Sequence, residues 1–216
     1  MSTEMRVRDA ARLFWAHRCN PILAGLTLAT GGAALWWAGP AQAPVWALWA
    51  ALGVAMWPGL EYVTHRFILH AKPLPWGWAL RMQRRLHYDH HQDPKDTELL
   101  FAPIWFTVPA TLVLAGLYGA LLGDPARAGG LLFGNLAAML AYEWVHFMAH
   151  QPYVPKSEHF KRLKKLHAWH HFKNERYWFG VTVSALDRVG GTHPDFETVA
   201  ASPTVRVIHG DVVPPA

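Results

Sequence analysis

Four apolar stretches constrain this chain most, because about 20 consecutive apolar residues can cross a bilayer only with every backbone polar group satisfied internally. They run from Pro21 to Ala38, from Val45 to about Ile68, from about Leu100 to Leu122, and from about Gly129 to Met148. Gly39, Pro40 and Pro44 separate the first pair, and Gly123, Asp124 and Pro125 the second, so the spans read as two helical hairpins. No period-two alternation suggests strands, and no repeat or low-complexity linker divides the chain. The expected fold is all-α and integral to the membrane, with four transmembrane helices. At 216 residues, 1–216 suits a single domain.

Charge and aromatic content agree with that class. Many of the 12 tryptophans, including Trp36, Trp37, Trp46, Trp49, Trp57, Trp76 and Trp78, lie in or beside the apolar stretches, where amphipathic rings settle at lipid interfaces. The net charge of +5 resides in segments flanking the spans rather than on an aromatic-interleaved polar surface, which argues against a nucleic-acid partner. The hairpin turns hold only Arg127, whereas the N-terminal, middle and C-terminal segments are rich in Lys and Arg. Positive charge is retained on the cytoplasmic side, so both termini are expected there. Trp76 to His91 reads as an amphipathic interfacial helix, and Lys156 to Phe172 as a second. The first 20 residues lack the apolar core and cleavage site of a removable signal peptide.

Cys19 is the single cysteine, so neither a disulfide framework nor a four-cysteine zinc site is available, and metal ligation must use nitrogen and oxygen. Histidine supplies the nitrogen. Ten of the 14 histidines form four clusters: His65 with His70; His87 with His90 and His91; His146 with His150; His167 with His170 and His171. Helical residues three or four apart share a face, so each triplet is expected to converge, as is the pair on the fourth span. His65 and His70 are five apart, about 140° around an ideal helix. They require a distorted helix end or ligation of two different ions. All four clusters fall on the cytoplasmic side of the expected topology, whereas His17, His159, His193 and His209 lie outside them and read as solvated or interfacial.

Ten imidazoles exceed what one ion coordinates, and about five for each of two ions suit iron better than a closed four-ligand zinc site. Ten neutral ligands leave the ions' positive charge uncompensated beside a low-dielectric slab, which is costly without anions. Glu61 and Glu143 stand four and three residues before a clustered histidine, and Asp89 and Asp93 flank the second cluster. These four acids are expected to orient ring nitrogens from behind.

EYVTHRFILH from Glu61, HYDHHQDPKDTELLFAP from His87, YEWVHFMAH from Tyr142 and KLHAWHHFKNERYWFGVTVSALDRVGGT from Lys165 together resemble the fatty acid hydroxylase and sterol desaturase superfamily of membrane di-iron enzymes. The likeness is greatest to the fatty acid 2-hydroxylases and covers about residues 61–194, the expected catalytic core. It implies four spans under a cytosolic helical cap and two iron ions held by the ten histidines, with zinc as an ion that could replace iron on isolation. It further implies O2-dependent hydroxylation of a fatty acid or acyl lipid, at the carbon next to the carbonyl. Some relatives carry a fused haem domain; this chain has neither the length nor an HPGG-type motif for one, so electrons are expected from a separate protein. The Ala- and Trp-rich chain suggests a multi-pass protein of a bacterial inner membrane. The alternatives are a desaturase or a sterol- or carotenoid-modifying enzyme with the same centre and, from another class, a membrane metal transporter or sensor. A transporter is disfavoured because the histidines gather at one face with no polar path across.

Overall fold

The computed structural model describes residues 5–210, and among these the regular structure is entirely helical. The single-domain expectation of 1–216 thus includes ten terminal residues, 1–4 and 211–216, that lie outside the described ones. In chain order the helices are α1 (Val7–Ala16), α2 (Cys19–Ala38) and α3 (Ala43–Val63), which runs into a π-helical turn, Thr64–Leu69. Next come α4 (Gly77–Gln83), a second π turn (Arg84–Tyr88), α5 (Asp89–Gln92), α6 (Thr97–Leu100) and α7 (Ile104–Leu122). The chain continues through α8 (Pro125–His150), α9 (Glu158–Phe172) and α10 (Ala185–Val189).

Local chemistry sets the boundaries. The third apolar stretch was expected from about Leu100, but α7 starts at Ile104, because Pro103 has no N–H and holds extended backbone before it. It ends at Gly123, whose φ of 61° closes the helix with its N–H on the Gly119 carbonyl. Asp124 then accepts from the Arg127 N–H at 2.8 Å, and Pro125 occupies the first helical position, where its missing N–H costs nothing.

Contacts divide the chain into two units. One comprises Leu13–Trp57 and Ala102–Trp144, and its core joins Leu23, Tyr118, Leu131, Leu132 and Leu136 from α2, α7 and α8, with Trp49 of α3 packed against them. A buried polar chain crosses it: the Tyr118 hydroxyl donates to Asn135 Oδ1 at 2.6 Å, and Asn135 Nδ2 donates to the Gly53 carbonyl at 2.7 Å. In an apolar surrounding this satisfied network specifies one helix register. Outward residues are strongly apolar, with Trp36 84% and Leu121 71% exposed, as lipid-facing surface requires. Among the described residues, three helical stretches can cross a membrane by length and composition: Cys19–Ala38, Pro40–Leu69 and Thr97–Leu122. The expected fourth, α8, is long enough at 26 residues but is not among them. Asn135, Glu143, His146 and His150 interrupt its apolar character.

The other unit, within the described residues, comprises 5–12, Pro58–Phe101 and 145–210, and it contains all ten clustered histidines. The expected interfacial segments are helical here, as α4 through α5 and as α9. Leu166 of α9 packs with Trp178 and Val199, while Leu80 of α4 clusters with Tyr88 and Ile208.

Candidate metal centre

The ten histidines form two sets of five, and within each set the possible ligand atoms lie within 4.8 Å of one another. The first set is His65, His70, His87, His91 and His170; the second is His90, His146, His150, His167 and His171. His65 and His70 come together because the helix departs from ideal between them. The His70 N–H bonds the His65 carbonyl at 3.1 Å, an i to i+5 closure, and the wider π turn brings residues five apart to one side. The alternative, that this pair serves two different ions, does not match the geometry.

The triplets behave otherwise than their spacing suggested. Each was expected to converge on one point, and each divides instead. His87 and His91, four apart, stay together in the first set while His90 joins the second; His167 and His171 stay in the second while His170 joins the first. Adjacent helical residues point about 100° apart, so a His-His pair on a helix lying between two sites naturally serves one each.

Ring nitrogens face one another within each set. His87 Nε2 lies 2.8 Å from His70 Nε2 and 3.2 Å from His65 Nε2, and His170 Nε2 lies 3.1 Å from His70 Nε2. In the second set His90 and His146 approach to 3.1 Å through Nε2, and His150 and His167 to 2.8 Å. Two nitrogens about 2.1 Å from a shared ion and at right angles to it lie about 3.0 Å apart, whereas tetrahedral ligands lie about 3.4 Å apart. The spacing therefore fits a cation with near-right-angle ligand pairs. Backbone carbonyls fix the tautomer in the first set: Nδ1 of His65, His170 and His91 donates to the carbonyls of Phe179 (2.6 Å), Tyr177 (2.7 Å) and Val205 (3.0 Å). Each leaves a lone pair on Nε2 for a metal. Among the described residues His91 Nε2 and both ring nitrogens of His171 are buried without a hydrogen-bond partner, and a bound ion would satisfy one nitrogen of each ring.

Burial pushes the imidazoles of His87, His90, His167, His170 and His171 well below the ordinary histidine value, with neighbouring imidazoles adding to the depression. Burial likewise takes His91 down to about 3. All six are thus neutral and ready to ligate at physiological pH. In metal-stripped protein the unfolded chain takes up protons below about pH 6.5 while these folded imidazoles do not. Stability is therefore full above that pH and falls as the pH drops, by up to about 1.4 kcal/mol per pH unit for each histidine. The unfolding midpoint of the stripped protein should decline between about pH 7 and about pH 5.5; a flat midpoint would contradict burial of neutral rings.

The family model for fatty acid hydroxylase matches residues 50–192, which include both sets. The chain belongs to the fatty acid hydroxylase family. Over 153 residues it is 36% identical to a dihydroceramide fatty acyl 2-hydroxylase of Arabidopsis thaliana, covering 69% of this chain and 62% of that protein. Over 140 residues it is 34% identical to the fatty acid 2-hydroxylase of Mus musculus, covering 63% and 37% respectively. The chain thus spans less than two thirds of the length of these relatives. A solved structure of scs7p, in which only the hydroxylase domain is visible, superposes with a TM-score of 0.72 at 28% identity, over 85% of this chain and 68% of that one.

In this member of the hydroxylase family, the four acids expected behind the histidines take other partners. Glu61 accepts from the backbone N–H groups of Val181 (2.5 Å) and Thr182 (3.0 Å) and from the Thr182 hydroxyl, so it fastens a loop rather than a ring nitrogen. Asp89 pairs with Arg84 at 3.0 Å, and Asp93 accepts from the Lys95 N–H at 3.3 Å. Glu143 accepts from the Ala102 N–H at 3.1 Å, and its second oxygen is buried with no hydrogen-bond partner among the described residues. Their spacing from histidines revealed which helix face they occupy and not which donors reach them.

The loop from Tyr177 to Thr192 does the orienting. Asp187, 1% exposed, accepts from the N–H groups of Phe179 and Gly180 and from the Thr192 hydroxyl, each at 2.8 Å. The Thr192 and Tyr62 hydroxyls lie 2.9 Å apart, and Arg66 donates to both the Tyr62 hydroxyl (2.6 Å) and the Gly190 carbonyl (2.9 Å). Trp178, fully buried with φ of 58°, is held in the left-handed region between the two orienting carbonyls. A cavity of about 520 Å³ adjoins this loop, lined by Arg66, Phe67, Arg176, Phe179 and Ile208 among others, and of the ten histidines only His70 lines it.

Proposed function

We propose that the two sets hold two iron ions and that the protein hydroxylates the acyl chain of a fatty acid or acyl lipid, at the carbon beside the carbonyl. The observation that carries this reading is the pair of five-imidazole sets, four of each buried and one half-buried, with nitrogens 2.8–3.2 Å apart in facing pairs. The relatives, a dihydroceramide fatty acyl 2-hydroxylase and a fatty acid 2-hydroxylase, support the substrate class and the position.

All ten clustered histidines act as ligands in this reading, five to each ion. When bound, the iron pair supplies O2 activation, with the balance R–H + O2 + 2 electrons + 2 protons giving R–OH and water. The chain's own residues bind and exclude. Phe67, Phe179 and Ile208 offer apolar wall to an acyl chain, and burial of the histidines keeps bulk water from the reacting carbon. The two electrons come from a separate donor protein. The chain acts as one catalytic domain, 1–216, with its core at about 61–194. It crosses a bacterial inner membrane four times, α8 included, with the histidine-bearing helices as a cytoplasmic cap and both termini on that side.

Lipid mass spectrometry of cells expressing the wild type beside His170→Ala tests the activity. The wild type should yield acyl species heavier by one oxygen, fragmenting as 2-hydroxy acyl chains, which the variant lacks. Species lighter by two hydrogens would favour desaturation, and no altered species would overturn the reading.

A further inference from the structure

The family match ends at residue 192, yet the chain beyond it returns to the histidines. The Val205 carbonyl receives His91 Nδ1 at 3.0 Å. Arg206 Nε donates to the His91 carbonyl at 2.9 Å, and its Nη2 donates to the Gln92 carbonyl. Those carbonyls close α5, a helix of four residues, whose end leaves them without intrahelical donors. A guanidinium there meets the hydrogen-bond need and the negative end of the helix dipole together. So short a helix has little intrinsic stability of its own. His209 Nε2 donates to the His70 carbonyl at 3.1 Å, so two ligands of the same set are held from one segment.

The segment itself is anchored. The Ser202 N–H donates to the Lys173 carbonyl at 2.7 Å, just past α9, and the hydroxyls of Ser202 and Thr204 donate to Glu175 Oε1 at 3.0 and 2.7 Å. Ile208 is 3% exposed against Leu80 and Tyr88, and Thr204, Ile208 and His209 also line the cavity.

We propose that residues 199–210 form a strap that completes the first histidine set, with Arg206 as the positioning residue that holds His91 in ligating orientation. This rests on the reading that each set binds a metal ion. The strap serves the first set: among the described residues its hydrogen bonds to clustered histidines go to His91 and His70, both members of that set.

The test uses full-length wild type, Arg206→Gln and Arg206→Lys in detergent, loaded anaerobically with ferrous iron and challenged with EDTA. Iron remaining per chain is followed in time, and anomalous difference maps of partly depleted crystals locate it. Wild type should hold two ions. Arg206→Gln should release one of them about 10–100-fold faster, from the set containing His91, and leave the other at its wild-type rate. Arg206→Lys, which keeps the charge but loses the planar fork that reaches two carbonyls, should fall between. Release of both ions at wild-type rates overturns the proposal, as does equal acceleration of both, which a general loosening would cause. The unfolding midpoint of the metal-free forms separates that loosening from a local effect. Wild type holding fewer than two ions would instead sink the metal reading itself, independently of Arg206.

Discussion

Asp187→Asn is expected to weaken metal retention and product formation by about 10–100-fold and to remove roughly 2–4 kcal/mol of stability. Both carboxylate oxygens accept: Oδ1 from the Phe179 N–H and the Thr192 hydroxyl, Oδ2 from the Gly180 N–H. Whichever way an Asn amide is turned, its NH2 group meets a backbone N–H, so a buried donor is left facing a donor. The effect reaches the metal site through one residue. Phe179 hangs from Asp187 by its N–H and receives His65 Nδ1 on its carbonyl, so a loosened loop releases that ring from its ligating tautomer. Metal analysis, product mass spectrometry and an unfolding curve of the stripped protein measure the three consequences. If stability falls while iron content and product stay at wild-type level, the loop supports the fold but does not orient His65.

Gly134→Leu is expected to cost at least about 3 kcal/mol, combining overpacking with lost hydrogen bonds. A Cβ at this position would stand 2.1 Å from the Ala50 carbonyl oxygen and 2.9 Å from Gly53 Cα, both backbone atoms that cannot swing aside. The helices must separate, and the separation strikes the polar chain next to it, where Asn135 bridges the Tyr118 hydroxyl and the Gly53 carbonyl. Gly116→Leu on α7 is the control, because nothing lies within 4 Å of its added Cβ; it should stay within about 0.5 kcal/mol of wild type. Unfolding of the two variants by denaturing detergent distinguishes close helix contact from helix propensity. Equal losses at the two positions would discard the packing explanation.

Local pattern carried a large share of this protein. Apolar run length and loop punctuation placed α2, α3, α7 and α8 within a few residues, since hydropathy and Gly or Pro positions act over one or two turns. The later start of α7, at Ile104, came from Pro103, itself a local signal that the apolar run concealed. Contacts made beyond the expected core were less legible. Val205, Arg206 and His209, past residue 194, bond to His91 and His70, and a backbone carbonyl or a lone arginine on an irregular segment has no periodic signature.

The histidines show the division most clearly. Their number and their clustering follow from the sequence alone, as does the expectation of more than one ion; the five-residue spacing of His65 and His70 is incompatible with one face of an ideal helix, and the π turn decided between a distorted helix and two different ions. Tertiary structure decided which histidine serves which set. It split each triplet, diverted Glu61 to the loop at Val181 and Thr182, and brought carbonyls from Phe179 and Val205 to rings 114 residues away in sequence. Helical periodicity relates residues within a few turns of one another. Contacts across a hundred residues depend on how helices pack, and only the folded chain contains that information.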